Sequence, residues 1–132
     1  MTGKSAKVIV LRKLPAAVEA RMAELFDVEF NNEDRHLDKA EIASAMARAD
    51  VLVSTVTDRI DAELIETAGD QLKLSANFGN GVDNIDVDAA YAQSITVTNT
   101  PSVLTEDTAD MVMALILALP RRMVEGDRII RD

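Results

Sequence analysis

Asp50-Val-Leu-Val-Ser-Thr-Val56 is apolar and β-branched along nearly its whole length, so as a strand it has no polar face to turn to water. Such a strand belongs inside a parallel sheet covered by helices on both sides. Toward the N-terminus, Lys7-Val-Ile-Val-Leu11 is a second run of this kind and Asp27-Val-Glu-Phe30 alternates as a third. Between them Pro15 opens a segment with Val18, Met22, Leu25 and Phe26 spaced for one helix face, and Asp38 begins another with Ile42, Met46 and Ala49 on one side. Toward the C-terminus, Asp61 starts a helix through Leu64 and Ile65 to Gly69. Leu72-Lys-Leu-Ser-Ala-Asn-Phe78 follows as a strand, Asp86 to Gln93 as a helix and Ile95-Thr-Val-Thr98 as a strand. Five strands alternating with helices predict an α/β fold, a flavodoxin-like, doubly wound, five-stranded parallel sheet over residues 1–104.

The remainder, 105–132, has a different character. Glu106 and Asp107 suit the first turn of a helix after Thr105, and Met111 to Leu119 is apolar on every face before Pro120 interrupts. A helix apolar all round is buried all round, and a sheet of this size covers one side only. A second body, another domain or another subunit, is therefore expected against it.

Composition narrows the function classes. The 132 residues carry a formal charge of −9, and the basic residues are scattered except around Arg121, Arg122, Arg128 and Arg131, so nucleic acid is not an expected partner. No cysteine is present, which removes disulfides and thiolate chemistry and makes a cytoplasmic setting the default. Residues 1–7 hold no apolar stretch fit for a signal peptide, and Met111–Leu119 is far short of the roughly 20 residues of a membrane-spanning helix. No membrane association is expected.

In open α/β sheets ligands bind beyond the carboxyl ends of the strands, which directs attention to the loop Asn77-Phe-Gly-Asn-Gly-Val-Asp-Asn-Ile-Asp86. Gly79 and Gly81 permit a sharp turn and leave the Asn80 and Gly81 amides able to face a carboxylate, although two glycines in such a loop also serve simply to make the turn. The loop is no dinucleotide fingerprint. Position 84 is Asn where a third glycine is needed, and the turn after the first strand, Arg12-Lys13-Leu14-Pro15, has no glycine at all. His36, the only histidine, lies in the polar stretch Asn31-Asn-Glu-Asp-Arg-His-Leu37 and is expected to be a lone surface residue. Asp83, Asp86 and Asp88 suit helix capping better than a metal site, and Ser54-Thr55 has no histidine partner in sequence.

The runs Phe78-Gly-Asn-Gly-Val-Asp-Asn-Ile-Asp86, Ile95-Thr-Val-Thr-Asn-Thr-Pro101 and Leu104-Thr-Glu-Asp-Thr-Ala-Asp110, in this order and spacing, resemble the D-2-hydroxyacid dehydrogenase family. The likeness is to its glyoxylate/hydroxypyruvate reductase and phosphoglycerate dehydrogenase branches, and Thr57-Asp58-Arg-Ile-Asp61 agrees with them. The resemblance implies a substrate-binding domain whose C-terminal helix leads into a Rossmann domain absent from this chain. It implies that the Asn80 and Gly81 amides bind the substrate carboxylate, that Asn80 also approaches the cofactor, that Thr108 contacts the dinucleotide and that Val56 and Thr57 wall the substrate pocket. The cofactor implied is NAD or NADP, held by the intact protein and not tightly by this chain. The substrate implied is a small 2-oxoacid or D-2-hydroxyacid, and the partner a second copy paired through 105–130. The family's arginine, histidine and glutamate of catalysis lie in or beyond the nucleotide-binding domain, so no catalytic residue and no metal ligand is expected here, and the chain alone is expected to be inactive.

Other readings fare worse on the residues. A receiver domain needs acidic residues after the first strand and an aspartate ending the third, where this chain has Arg12-Lys13 and Ser54-Thr55. An FMN module needs hydroxyl donors in the first loop, where Leu14-Pro15-Ala16-Ala17 stands. A naturally short, non-catalytic regulatory or dimerising module of the same fold stays open.

Overall fold

A computed structural model describes residues 6–131; the sequence reading of residues 1–5 lies outside them. The chain divides into two compact units, one ending at Thr100 and one beginning at Pro101. The first unit runs β1 (Lys7–Val10), α1 (Ala16–Leu25), β2 (Asp27–Phe30), α2 (Lys39–Met46), β3 (Val51–Thr55), α3 (Ala62–Glu66), β4 (Leu74–Phe78), α4 (Val87–Ala92) and β5 (Thr96–Thr98). Its strands form one five-stranded sheet in the order β2-β1-β3-β4-β5, every pairing parallel, as the alternation of runs predicts.

The pleat divides the core in two. Ile9 and Leu52 point to one face, where α2, α3 and α4 add Ile42, Met46, Leu64, Ile65 and Ala90. Val8, Val10 and Val53 point to the other, where they meet Met22 of α1. Leu52 is fully buried, as a central parallel strand requires. The sequence reading overestimated the cover that α1 provides: no residue of that helix is buried, and Val18, Leu25 and Phe26 are 40%, 49% and 43% exposed. Their spacing is helical, but only Met22 reaches the sheet, because the adjoining β2 is a half-exposed edge strand.

Helix starts follow the aspartates. Asp38, Asp61 and Asp86 each accept a hydrogen bond from the backbone N–H three residues on, at Glu41, Leu64 and Ala89. Asp38 and Glu41 close a reciprocal capping box, and Glu41 is held besides by Arg35.

The second unit contains α5 (Thr105–Ala118) and α6 (Met123–Arg131). The break between them falls at Pro120, where the sequence reading expects the apolar run to be interrupted. Pro120 cannot supply the N–H that would continue the ladder, and Arg122 adopts a positive φ of 50°, so the chain restarts as a separate helix. Thr105 is the first residue of α5 and not its cap; Leu104 holds the cap position without a side-chain hydrogen bond. No residue of either helix is buried. Among the described residues no helix is long and apolar enough to cross a membrane.

Candidate functional site at the carboxyl edge of the sheet

Because all the strands are parallel, the loops that follow them gather along one edge. The order β2-β1-β3 reverses the winding between β1 and β3, so the turn after β1 and the loop after β3 flank the switch point. Arg12 stands there. Its Nε donates to Asp34 Oδ1 at 3.0 Å, and its Nη1 lies 3.0 Å from both ring nitrogens of His36 and donates to Thr57 Oγ1 at 3.2 Å. The Arg12 guanidinium, helped by the Lys13 amide, holds the Asp34 carboxyl below the usual range. His36 is thus exposed, as expected, yet it is not a lone residue, because the Arg12 guanidinium lies against its ring. This contact joins the turn after β1 to a residue in the β2–α2 loop, and no local pattern around His36 announces it.

The loop after β3 is closed by Asp58, whose Oδ2 accepts from Thr55 N at 2.8 Å and from Thr55 Oγ1 at 3.1 Å. This turn leaves Val56 58% exposed, an apolar side chain standing clear at a strand end, with Thr57 exposed beside it.

Beside it runs the glycine loop. A Cβ built on Gly79 would clash with Val56 Cγ1, so the missing side chain at 79 lets the two loops touch. Gly81 is different, because a Cβ there would meet only Asp83 Oδ2, at 3.4 Å, and no described glycine has a positive φ. The expected reliance of Gly81 on a glycine-only backbone is therefore corrected: close approach fixes Gly79, and nothing in the loop forbids a side chain at 81.

Three successive carbonyls of this loop are tied down. Thr100 N donates to Gly79 O at 2.9 Å, Asn99 Nδ2 to Asn80 O at 2.7 Å and Asn77 Nδ2 to Gly81 O at 2.8 Å. In a trans peptide the next residue's N–H points opposite to the carbonyl, so fixing these carbonyls also fixes the amides of Asn80, Gly81 and Val82. The Gly81 and Val82 amides have no hydrogen-bond partner among the described residues. Oriented donors in a short run are the arrangement that receives a carboxylate.

The residues that orient the loop escaped the sequence reading. Asn77 is 2% exposed and Ser54 fully buried, and Ser54 Oγ donates to Asn77 Oδ1 at 3.0 Å. Asn84 reaches across to the loop after β3. The only local signal was the density of asparagine around the two glycines, in which Asn84 counted merely as a missing third glycine. Asp86 caps α4, as its position suggests, and no group of three or more metal-ligating side chains gathers among the described residues. Thr108 lies exposed in α5, in the second unit, and is described only there. The chain's residues supply no phosphate cradle after β1, where Arg12 to Pro15 form the turn, so a dinucleotide does not fit that position.

Known proteins share the sequence pattern and fold of this chain. Residues 8–121 match the family described as D-isomer specific 2-hydroxyacid dehydrogenase, catalytic domain. The chain is 38% identical over 126 residues to the glyoxylate reductase of Thermococcus onnurineus, which covers 96% of this chain and 37% of the relative. Among solved structures, a 2-hydroxyacid dehydrogenase from Ketogulonicigenium vulgare superposes with a TM-score of 0.78 at 27% identity, covering 98% of this chain and 40% of the other. An NADPH-dependent glyoxylate/hydroxypyruvate reductase from Sinorhizobium meliloti, solved with NADP and malonate, gives 0.71 at 29% identity, covering 98% and 40%. The chain thus spans well under half the length of the relatives it matches.

Proposed function

The chain belongs to the D-isomer specific 2-hydroxyacid dehydrogenase family, and from that premise we propose that it forms the substrate-binding part of an enzyme that reduces a small 2-oxoacid, or oxidises the D-2-hydroxyacid. The observation that carries this reading is the unpartnered Gly81 amide on a loop whose carbonyls at Gly79, Asn80 and Gly81 are each held by a hydrogen bond. The Asn80 and Gly81 amides receive the substrate carboxylate, joined by the amide of Val82. Val56 and Thr57 bound the other side and keep water from the carbon next to the carboxylate. Preoriented donors of this kind bind charge without the cost of reorganisation, which is why backbone amides serve where a mobile side chain would not.

A nicotinamide dinucleotide, NAD or NADP, supplies the hydride when bound to the longer polypeptide. In this reading Asn80 and Thr108 contact it, while the groups that exchange the substrate's proton and hold its second oxygen lie outside these residues. The segment 105–130 pairs with a second copy. The kinship with a glyoxylate reductase and with a structure holding NADP and malonate supports a short oxoacid as the substrate class.

Titration of the chain with oxalate, followed through backbone amide resonances, tests the site. Shifts centred on residues 80–82 and 56–57 are expected. Shifts elsewhere, or none at millimolar oxalate, would remove the loop from substrate binding.

A further inference from the structure

The Asn84 carboxamide spans the two loops that the proposed site requires. Its Nδ2 donates to the carbonyls of Thr55 at 3.0 Å and Asp58 at 2.9 Å, both in the turn that presents Val56 and Thr57. Its Oδ1 accepts from Asn77 Nδ2 at 3.1 Å, and the same Nδ2 donates to Gly81 O at 2.8 Å. Asn77 in turn is fixed by buried Ser54 on β3. The backbone reinforces the junction: Ile60 N donates to Asn84 O at 2.8 Å and Asp86 N to Ile60 O at 2.9 Å, pairing Ile60 with Ile85.

One half-buried side chain therefore reads two carbonyls of one wall and, through one intermediary, the carbonyl whose peptide aims the Val82 amide. We propose that Asn84 is a positioning residue, setting the spacing between the apolar wall after β3 and the amides of the glycine loop. This rests on the carboxylate-binding reading of that loop. No other common side chain replaces it isosterically. Asp offers no donor to two carbonyls when ionised, Leu offers neither donor nor acceptor, and Gln is longer by a methylene. The backbone pair Ile60–Ile85 holds the loops together near α3 and α4, which leaves Asn84 to set the geometry at their outer ends.

Amide spectra of the whole chain as wild type, Asn84→Ala and Asn84→Asp, with and without oxalate, test the proposal. Without oxalate, Asn84→Ala should shift and broaden residues 56–57 and 79–82 together while the β1 and β3 core resonances stay in place. A response confined to one loop overturns the clamp, whatever oxalate does. With oxalate, Asn84→Ala should bind about fivefold more weakly, the loss of roughly one net hydrogen bond's effect. Equal affinity in variant and wild type overturns the positioning role.

Asn84→Asp keeps the size and guards against a variant that merely unfolds. Its ionised carboxylate faces two carbonyls and should weaken oxalate binding, and protonating it restores one donor. Affinity relative to wild type should therefore recover as pH falls through the carboxyl's titration. A ratio that is flat with pH, in a folded variant, assigns Asn84 a purely structural part and overturns the proposal. If wild type fails to bind oxalate at Gly81, the carboxylate reading falls, while the ligand-free comparison still decides whether the two loops are coupled.

Discussion

Between the two glycines of one loop, only Gly79 is under steric constraint. A methyl at 79 displaces Val56 Cγ1, but that side chain is more than half exposed and free to rotate, so Gly79→Ala should cost under about 1 kcal/mol of stability while moving a wall of the site. Chemical denaturation beside oxalate titration checks this: affinity should fall more than stability. Gly81→Val meets little within the protein, and its stability should lie within about 1 kcal/mol of wild type, yet the branched side chain crowds the approach to the Gly81 amide. Unchanged oxalate binding in that variant would move the carboxylate elsewhere. A third residue concerns the core. Ser75 Oγ is buried without a partner, the one such side-chain atom among the described residues. Ser75→Ala should raise stability by about 1 kcal/mol, because it removes a desolvated hydroxyl and leaves a void smaller than a methyl group. A loss of stability on denaturation would show that the hydroxyl is satisfied in solution.

At the scale of the element, α2 is anchored by charge as well as by burial. The Arg35 guanidinium, and then the Asp38 amide, lower the Glu41 carboxyl from 4.5 to about 2 in the folded chain. A group whose pKa is depressed on folding stabilises the fold above its unfolded value and loses that contribution as pH falls through the folded one. Glu41→Gln keeps a capping oxygen but carries no charge. Its melting temperature should therefore lie below that of wild type above pH 4.5, and the gap should close toward about pH 2. A gap independent of pH would assign the effect to shape alone. In the second unit, the break at Pro120 limits α5 to one apolar cylinder, with Met111, Leu115 and Leu119 61%, 53% and 75% exposed. At about 25 cal/mol per Å² of apolar area, several such side chains left in water forgo several kcal/mol. Self-association through 105–130 is the expected outcome: light scattering at micromolar concentration should report a dimer or larger, and Leu115→Glu with Leu119→Glu should shift it toward monomer. A clean monomer at high concentration would reject pairing through α5.

For the whole molecule, the proposed division of labour predicts that the chain alone reduces neither glyoxylate nor hydroxypyruvate with either nicotinamide cofactor. Absence of a general acid/base alone costs about 10² to 10⁴-fold. Turnover by purified chain that disappears with His36→Ala would overturn that division and turn the Arg12–His36 contact into catalytic machinery. The sequence by itself determined the order and direction of the elements, because β-branched runs such as 50–56 and aspartate caps such as Asp38, Asp61 and Asp86 act over a few neighbouring residues. It determined the glycine loop as the place to look, because a parallel sheet gathers its loops at one edge. Only the tertiary structure decided which glycine is constrained, since Val56 meets Gly79 across two strands. It also decided that His36 has Arg12 for a partner, 24 residues away, and that Asn84 ties its loop to carbonyls 26 and 29 residues before it. The reason is the range of the forces: propensity and capping are local, whereas a hydrogen bond between loops exists only once the sheet has fixed the distance between them.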